Sequence, residues 1–426
     1  IHDSPLTTES HPHMIPPMKC IFSLITIFIS TLLNGDDWPE FRGPTAQGHA
    51  VNANLPVEFG PKKNLKWKVA VPGQGWSSPV IVGKRIYLTT AITKDGKLTL
   101  SALCLDSVNG QIVWQQPVFS VIGKVPRMHR KNSQASPTPI VADNRVYIHF
   151  GHMGTACLDL TGKVIWKNES IKYPPVHGNG GSPALVNGKL IFSCDGSNNP
   201  FVIALNSKNG QQVWRTKRTA NAKRKFSFCT PLVVDTANGK QVILPGSSMV
   251  GAYNPDTGTE IWKVTYGDGY SVVPRPVTAH GMVFFSSGFD RAAALAVKLG
   301  GRGDVTKSHL AWRINKGAPK TPSMLVAGDE LYMISDSGFG SCVDARSGKI
   351  HWYERLGGGY SSSPILSNER MYFINETGTV KVVKAAKKFN LLATNELGER
   401  TLASPAVAEN ALFIRTEYHL WRFEGP

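Results

Sequence analysis

Acidic residues are scarce in this chain. It holds 30 Asp and Glu against 47 Lys and Arg, for a formal net charge of +17. That balance excludes an acidic surface and favours anionic partners, but carries no information on fold. Cysteine is also scarce, six in 426 residues, and no Cys-x-x-Cys pair occurs. Neither a disulfide framework nor a zinc site is expected. No apolar run reaches the roughly 20 residues that span a bilayer. The run from Ile21 to Leu33 covers 13 residues, and mean hydropathy is −0.15, so a polytopic membrane protein is excluded. Gly300-Gly-Arg-Gly-Asp304 lacks the Lys-Ser/Thr of a phosphate loop. No Ser-His-Asp set and no pair of catalytic carboxylates can be assembled from sequence order. Present instead are 41% apolar residues, 41 Gly and 28 Pro. That composition suits a large core broken by many turns.

Met18-Lys19, the apolar run from Ile21 and the polar Asn34-Gly35-Asp36 describe a secretory signal peptide. Cys20 begins the run and does not follow it, so neither a lipid-anchor cysteine nor a transmembrane anchor is expected in the mature chain. The expectation is a chain cleaved near Gly35 and then periplasmic or extracellular. Residues 1–35 form leader and signal, 36–62 an N-terminal extension, and 63–426 one folded domain.

The domain is read from a repeat. Gly-x-x-x-Trp recurs at Gly110–Trp114, Gly162–Trp166, Gly210–Trp214, Gly258–Trp262 and Gly348–Trp352, each after an Asp or Asn and a turn. A Pro-led strand precedes each, and eight residues separate Pro79 from Tyr87, Pro139 from Tyr147 and Pro364 from Tyr372. Copies at Pro231 and Pro322 are expected to carry longer turns. Eight copies of four short strands, A to D, predict an all-β, eight-bladed β-propeller of four-stranded antiparallel blades. The last copy stops after three strands, near Phe423, and the strand around Trp67 is expected to supply the fourth. The tryptophans are read as packing between blades.

These Asp-x-x-x-Gly-x-x-x-Trp turns and Ser-Pro strand starts resemble the PQQ-binding-like β-propeller repeat proteins of the quinoprotein alcohol dehydrogenase-like superfamily. Asp37-Trp38-Pro39-Glu40-Phe41-Arg42-Gly43-Pro44 is similar to the opening of secreted bacterial members. The resemblance implies either oxidation of alcohols or sugars with pyrroloquinoline quinone (PQQ) and calcium, or partner binding without a cofactor. The enzymes of the family carry two adjacent cysteines over the quinone. No two cysteines are adjacent here, and the family's calcium-binding residues find no matching positions.

Function on a propeller concentrates where the D–A and B–C loops ring the axis. Trp76, His129, Arg130, Lys131, His177, Arg224, Tyr270, Arg275, Lys316 and Tyr360 fall in those D–A loops. Arg forks beside aromatic rings suit carboxylate, sulfate or phosphate on a sugar or other planar body. His149 and His152 end a B strand near His129 and His177, but their spacing is not a zinc motif. The expected function is a binding or scaffold module for an anionic small molecule, an acidic saccharide or a cell-envelope protein. No resident cofactor, metal or specific nucleic acid is expected. The alternatives are a PQQ-dependent dehydrogenase and a polysaccharide-active hydrolase or lyase.

Overall fold

The computed structural model describes Ile1, His2 and residues 37–425 other than 124 and 126. The chain divides into two units, Ile1–Leu33 and Asn34–Pro426. The expected signal peptide lies outside the described residues, and the fold belongs to the second unit. Eight antiparallel sheets follow one another along the chain. Blade 1 comprises Val80–Val82, Arg85–Lys94, Lys97–Asp106 and Ile112–Ile122. The one α-helix among the described residues is Thr306–His309. In blade 8, Leu65–Ala70 pairs antiparallel with His419–Glu424, which closes the ring between distant parts of the chain. Closure gives every blade two neighbours and leaves no open flank between the first and last sheets.

The repeat motif has one physical job. At its start, Asp106 Oδ1 accepts from the Val108 and Asn109 amides, and Asn206, Asn254 and Asp344 close equivalent turns. The turn ends on a glycine at positive φ, +75° at Gly110, under the tryptophan of the preceding blade. A Cβ on Gly162 would stand 2.8 Å from the Trp114 ring, and one on Gly210 2.4 Å from Trp166. Only glycine supplies both the conformation and the space. The indole N–H then donates into the same turn: Trp114 to Leu160 O at 3.0 Å, Trp166 to Ser207 O at 2.9 Å, Trp214 to Pro255 O at 3.0 Å. Trp67 does this across the closure, to Ser107 O at 3.0 Å. Each lock joins neighbouring blades.

Three blade junctions depart from the pattern: the blade 7 turn has no glycine, yet Trp352 still donates into it, to Ala386 O at 2.9 Å, and the other two are patched. Blade 5 has no glycine turn, so Trp262 of blade 4 donates to Gln241 Oε1 of its own sheet at 3.0 Å. An added strand, Gly303–Asp304, pairs alongside that blade's last strand, and Trp262 is fully buried. In blade 7, Ala393 faces Val382 as Trp352 faces Cys342 in blade 6, so it stands in the tryptophan's place. There Phe59, from the segment before the first blade, packs 4.8 Å from Phe423.

That segment does more than extend the N-terminus. Trp38 exchanges two backbone bonds with Ile81 in the innermost strand of blade 1, and Pro39 O accepts from Val141 in blade 2. Gln47 Oε1 accepts from Thr278 in blade 5. His49 Nε2 meets Val326 O in blade 6, and His49–Ala50 pairs parallel with blade 7. Residues 38–50 therefore run along the free edges of the inner strands and fill the axial channel. Arg42 is buried there and donates to Met324 O at 2.6 Å, Pro364 O at 3.4 Å and Gln47 O. The expected long turn after Pro322 is absent. Leu325 pairs with Tyr332 as Ile365 pairs with Tyr372, so Pro322 simply lies two residues ahead of the usual register. The long turn after Pro231 is present, with Leu232 opposite Ile243.

Arg42→Ala would strip two buried carbonyl oxygens, and the partly buried Gln47 O, of a charged donor. We expect a loss of about 3 kcal/mol, read as a lower urea midpoint, while Lys84→Ala on the exposed first turn leaves it unchanged.

Candidate functional site

The inner strands begin with a hydroxyl residue in seven of the eight blades: Ser78, Thr138, Ser182, Thr230, Ser323, Ser363 and Ser404. These side chains form a belt. The backbone N–H of Ser78 donates to Thr138 Oγ1 at 3.0 Å, Thr138 to Ser182 Oγ at 2.8 Å, and Ser182 to Thr230 Oγ1 at 3.0 Å. On the other side Arg275 donates to Ser323 Oγ at 2.9 Å, Ser323 to Ser363 Oγ at 3.0 Å, and Ser363 to Ser404 Oγ at 2.8 Å. The belt satisfies amides at the crowded axis, where no further strand can pair with them.

Above the belt opens a cavity of about 590 Å³, reached from the D–A and B–C loops. All seven hydroxyl residues line it, and Phe41, at the tip of the axial segment, forms part of its floor. The channel is thus a blind cup. One wall is an arc of rings from blade junctions 1–2 to 4–5. Neighbouring centroids along His129, His177, Phe226, Tyr270 and Phe289 lie 5.3, 5.3, 5.4 and 5.9 Å apart. The His177 backbone, at φ +65°, bends in the left-handed region to set its ring in this arc. Trp76 stands at the adjoining blade 8–1 junction with the Arg400 guanidinium 5.2 Å over its ring.

Of the ten residues expected at the mouth, seven line this cup: Trp76, His129, Arg130, Lys131, His177, Arg224 and Tyr270. The other three point elsewhere. Arg275 occupies the blade 5 position of the belt, and its long side chain turns into the axis. There it donates to Pro231 O at 3.0 Å and Phe41 O at 2.6 Å and pairs with Glu40 at 2.9 Å. Lys316 lies 4.5 Å over the Tyr353 ring, away from the cup. Tyr360 is buried in the core with Tyr332 and Trp352. The sequence reading missed the hydroxyl belt, Phe226, Phe289 and Phe41. The recurring Ser/Thr before proline was a signal for the belt, but it was read only as a strand start.

The loop carrying His129–Asn132 spans the mouth. Lys131 Nζ lies 2.6 Å from Glu376 Oε1, and Arg400 donates to Arg130 O at 3.0 Å. Burial raises the Glu376 carboxyl, but hydrogen bonds from Lys131 and Ser361 outweigh it and hold the group below its ordinary value. Arg224 stacks 4.6 Å over Tyr270 and donates to its hydroxyl. Arg130 and Arg224 have no carboxylate partner among the described residues. Burial, then His177 and the neighbouring Arg130 and Lys131 charges, pull the His129 imidazole below 6.5, so it is neutral at pH 7. The acid lining the cup is Asp336, and both its oxygens are engaged by the Lys320 and Thr321 amides and the Thr321 hydroxyl.

The four histidines do not converge: His129 and His177 are neighbours in the arc, but the other two lie apart from them. His149 is buried below, bonded to Thr155 Oγ1 at 2.8 Å, and His152 contacts Asn179. No group of three or more His, Cys, Asp or Glu suited to a metal ion occurs among the described residues. Cys104, Cys157, Cys194, Cys229 and Cys342 are each buried and unpaired. Among the described residues the cup is lined by one carboxylate, already committed, where calcium takes six to eight oxygens. These residues do not fit a quinone–calcium pair.

Comparison with known proteins adds the following. A family profile described as outer membrane protein assembly factor BamB matches residues 60–178, 101–308 and 246–419. The outer membrane protein assembly factor BamB of Shewanella oneidensis is 25% identical over 240 residues, 51% of this chain and 54% of that protein. A polyvinylalcohol dehydrogenase of a Pseudomonas species is 23% identical over 245 residues, 51% of this chain and 36% of that protein. The chain thus spans about half or less of the length of these curated relatives. The crystal structure of BamB from Moraxella catarrhalis superposes with a TM-score of 0.60 at 13% identity, covering 85% of this chain and 97% of that one. At that identity the likeness concerns the fold.

Burial moves the His149 imidazole from 6.5 to about 3, with the neighbouring His152 lowering it further. The folded state therefore binds fewer protons than the unfolded state between those values. Stability is fully present above pH 6.5 and is lost as pH falls, by up to about 1.4 kcal/mol per pH unit. Urea midpoints from pH 7 to 4 should fall less steeply in His149→Phe than in the wild type.

Proposed function

The chain belongs to the outer membrane protein assembly factor BamB family, and on that footing we propose that it is a binding or scaffold propeller whose blind cup receives an anionic ligand. One observation carries this reading. Two guanidinium groups without carboxylate partners among the described residues, Arg130 and Arg224, stand at the rim of a cup walled by aromatic rings. Exposed cations held together repel one another, and core packing gives no reason to collect them. A ligand with negative charge and a flat or ring-shaped body satisfies both features, and an acidic saccharide has that form. The relatives named as assembly factors support a cell-envelope setting and a protein partner there. We place the mature chain in the periplasm after export.

A dehydrogenase reading draws on the relatives named polyvinylalcohol dehydrogenase and quinoprotein ethanol dehydrogenase. The single committed carboxylate lining the cup and the separate cysteines buried in the blades argue against it. A two-carboxylate glycoside hydrolase needs an acid and a base flanking the substrate, and the one carboxylate lining the cup among the described residues, Asp336, has both oxygens occupied.

Calorimetric titration with oligogalacturonate and with a neutral maltooligosaccharide of equal length tests the proposal. Binding should favour the acidic ligand and weaken several-fold between 20 and 150 mM salt. Arg224→Ala should weaken it by about tenfold, the value of one charge-assisted hydrogen bond. Equal binding of both saccharides, or no change in Arg224→Ala, would overturn the proposal.

A further inference from the structure

The belt hydroxyls are only half used. In six of them the oxygen accepts a backbone N–H, but none of the seven donates its own proton to any described residue. Ser78 Oγ makes no hydrogen bond at all among the described residues, although Ser78 is 2% exposed. All seven residues line the same cup. Their protons therefore have one direction left, the cavity on the axis. Such a floor presents donors and calls for an occupant with acceptor oxygens.

Water satisfies hydroxyl donors too, so charge must decide what the floor selects. Three buried guanidinium groups attach within one residue of the belt. Arg42 donates to Met324 O and Pro364 O, the carbonyls directly after Ser323 and Ser363. Arg415 donates to Ser77 Oγ at 2.6 Å, beside Ser78, and to Thr89 O at 2.9 Å. Arg275 occupies the eighth belt position and alone has an acid, Glu40. Arg42 and Arg415 are fully buried and reach only carbonyl and hydroxyl oxygens, so two positive charges behind the floor have no counter-ion among the described residues. The energetic strain shows in both groups: burial, helped at Arg42 by Arg275, pushes each down to about 9. A buried charge left without a partner is costly, and an anion placed against it recovers part of that cost. The opposing charges are Asp336 on the wall, with both oxygens engaged, and Glu376, held by Lys131.

We propose that the Ser/Thr belt is an oxyanion site at the floor of the cup, which takes a compact carboxylate, sulfate or phosphate group while the body of the ligand rests against the aromatic arc. This rests on the reading of the cup as a ligand site, and it assigns one anionic group of the ligand to the floor, while Arg224 and Arg130 at the rim contact the remainder of the ligand.

Ser78→Ala is the cleanest probe, because its hydroxyl supports no backbone amide and its loss should leave the urea midpoint unchanged. We expect saturable binding of inorganic sulfate and of glucuronate to the wild-type chain by calorimetry, and binding about tenfold weaker in Ser78→Ala. Thr138→Ser, which keeps belt bond and proton, should bind as the wild type does, whereas Thr138→Val should bind more weakly. If Arg224→Ala weakens glucuronate binding while Ser78→Ala and Thr138→Val do not, the anion sits at the rim: this inference falls and the function proposed above stands. If neither Arg224→Ala nor Ser78→Ala alters glucuronate binding, both fall. No sulfate binding to the wild type up to 50 mM would also overturn the oxyanion site.

Discussion

The lock between an indole and a glycine turn holds this ring together. A four-stranded blade buries one face only when its neighbour is present, and the D-strand tryptophan makes that contact specific. Its ring covers a glycine that no other residue could replace, and its N–H satisfies a turn carbonyl that would otherwise be buried without a donor. A lock that spans two blades transmits position around the ring. Where it fails, after blade 4 and at blade 7, the chain spends additional segments to restore the contact: Gly303–Asp304 in one case and Phe59 in the other.

Given a closed ring, the inner strands face a second problem. Their edges converge on the axis with unpaired amides and carbonyls. The structure answers in two layers. The hydroxyl belt takes the amides at one level, and residues 38–50 take strand edges below it. The same solution shapes the cup, since Phe41 ends the channel and the belt forms the floor. It also brings Arg42 and Arg275 into the interior, where backbone carbonyls and Glu40 receive them. Structural necessity and the chemistry of the site are here the same set of residues.

Much of this was legible beforehand. Period, strand count and ring closure followed from the Gly-x-x-x-Trp spacing and the truncated last copy, because turn residues and alternation are local signals. Seven mouth residues were found by register alone, since any residue just before an inner strand is delivered to the axis. Arg275 misled for an instructive reason. It has the right register, but it sits at a belt position, where a long side chain reaches the interior instead of the rim. Tyr360 failed in the opposite way, its ring drawn into the core with Tyr332 and Trp352. Lys316 followed the Tyr353 ring outward.

Local patterning, then, was enough for the propeller, its eight blades and the place of its mouth, because each repeat encodes its own strands and turns. The path of residues 38–50 was not readable, since that segment has no periodicity and its partners lie up to 322 residues away. The belt was equally hidden, although its serines and threonines were in plain view. A hydroxyl at the start of an inner strand becomes an acceptor for the neighbouring blade, and a donor to a shared cavity, only after seven such residues have been brought to one axis.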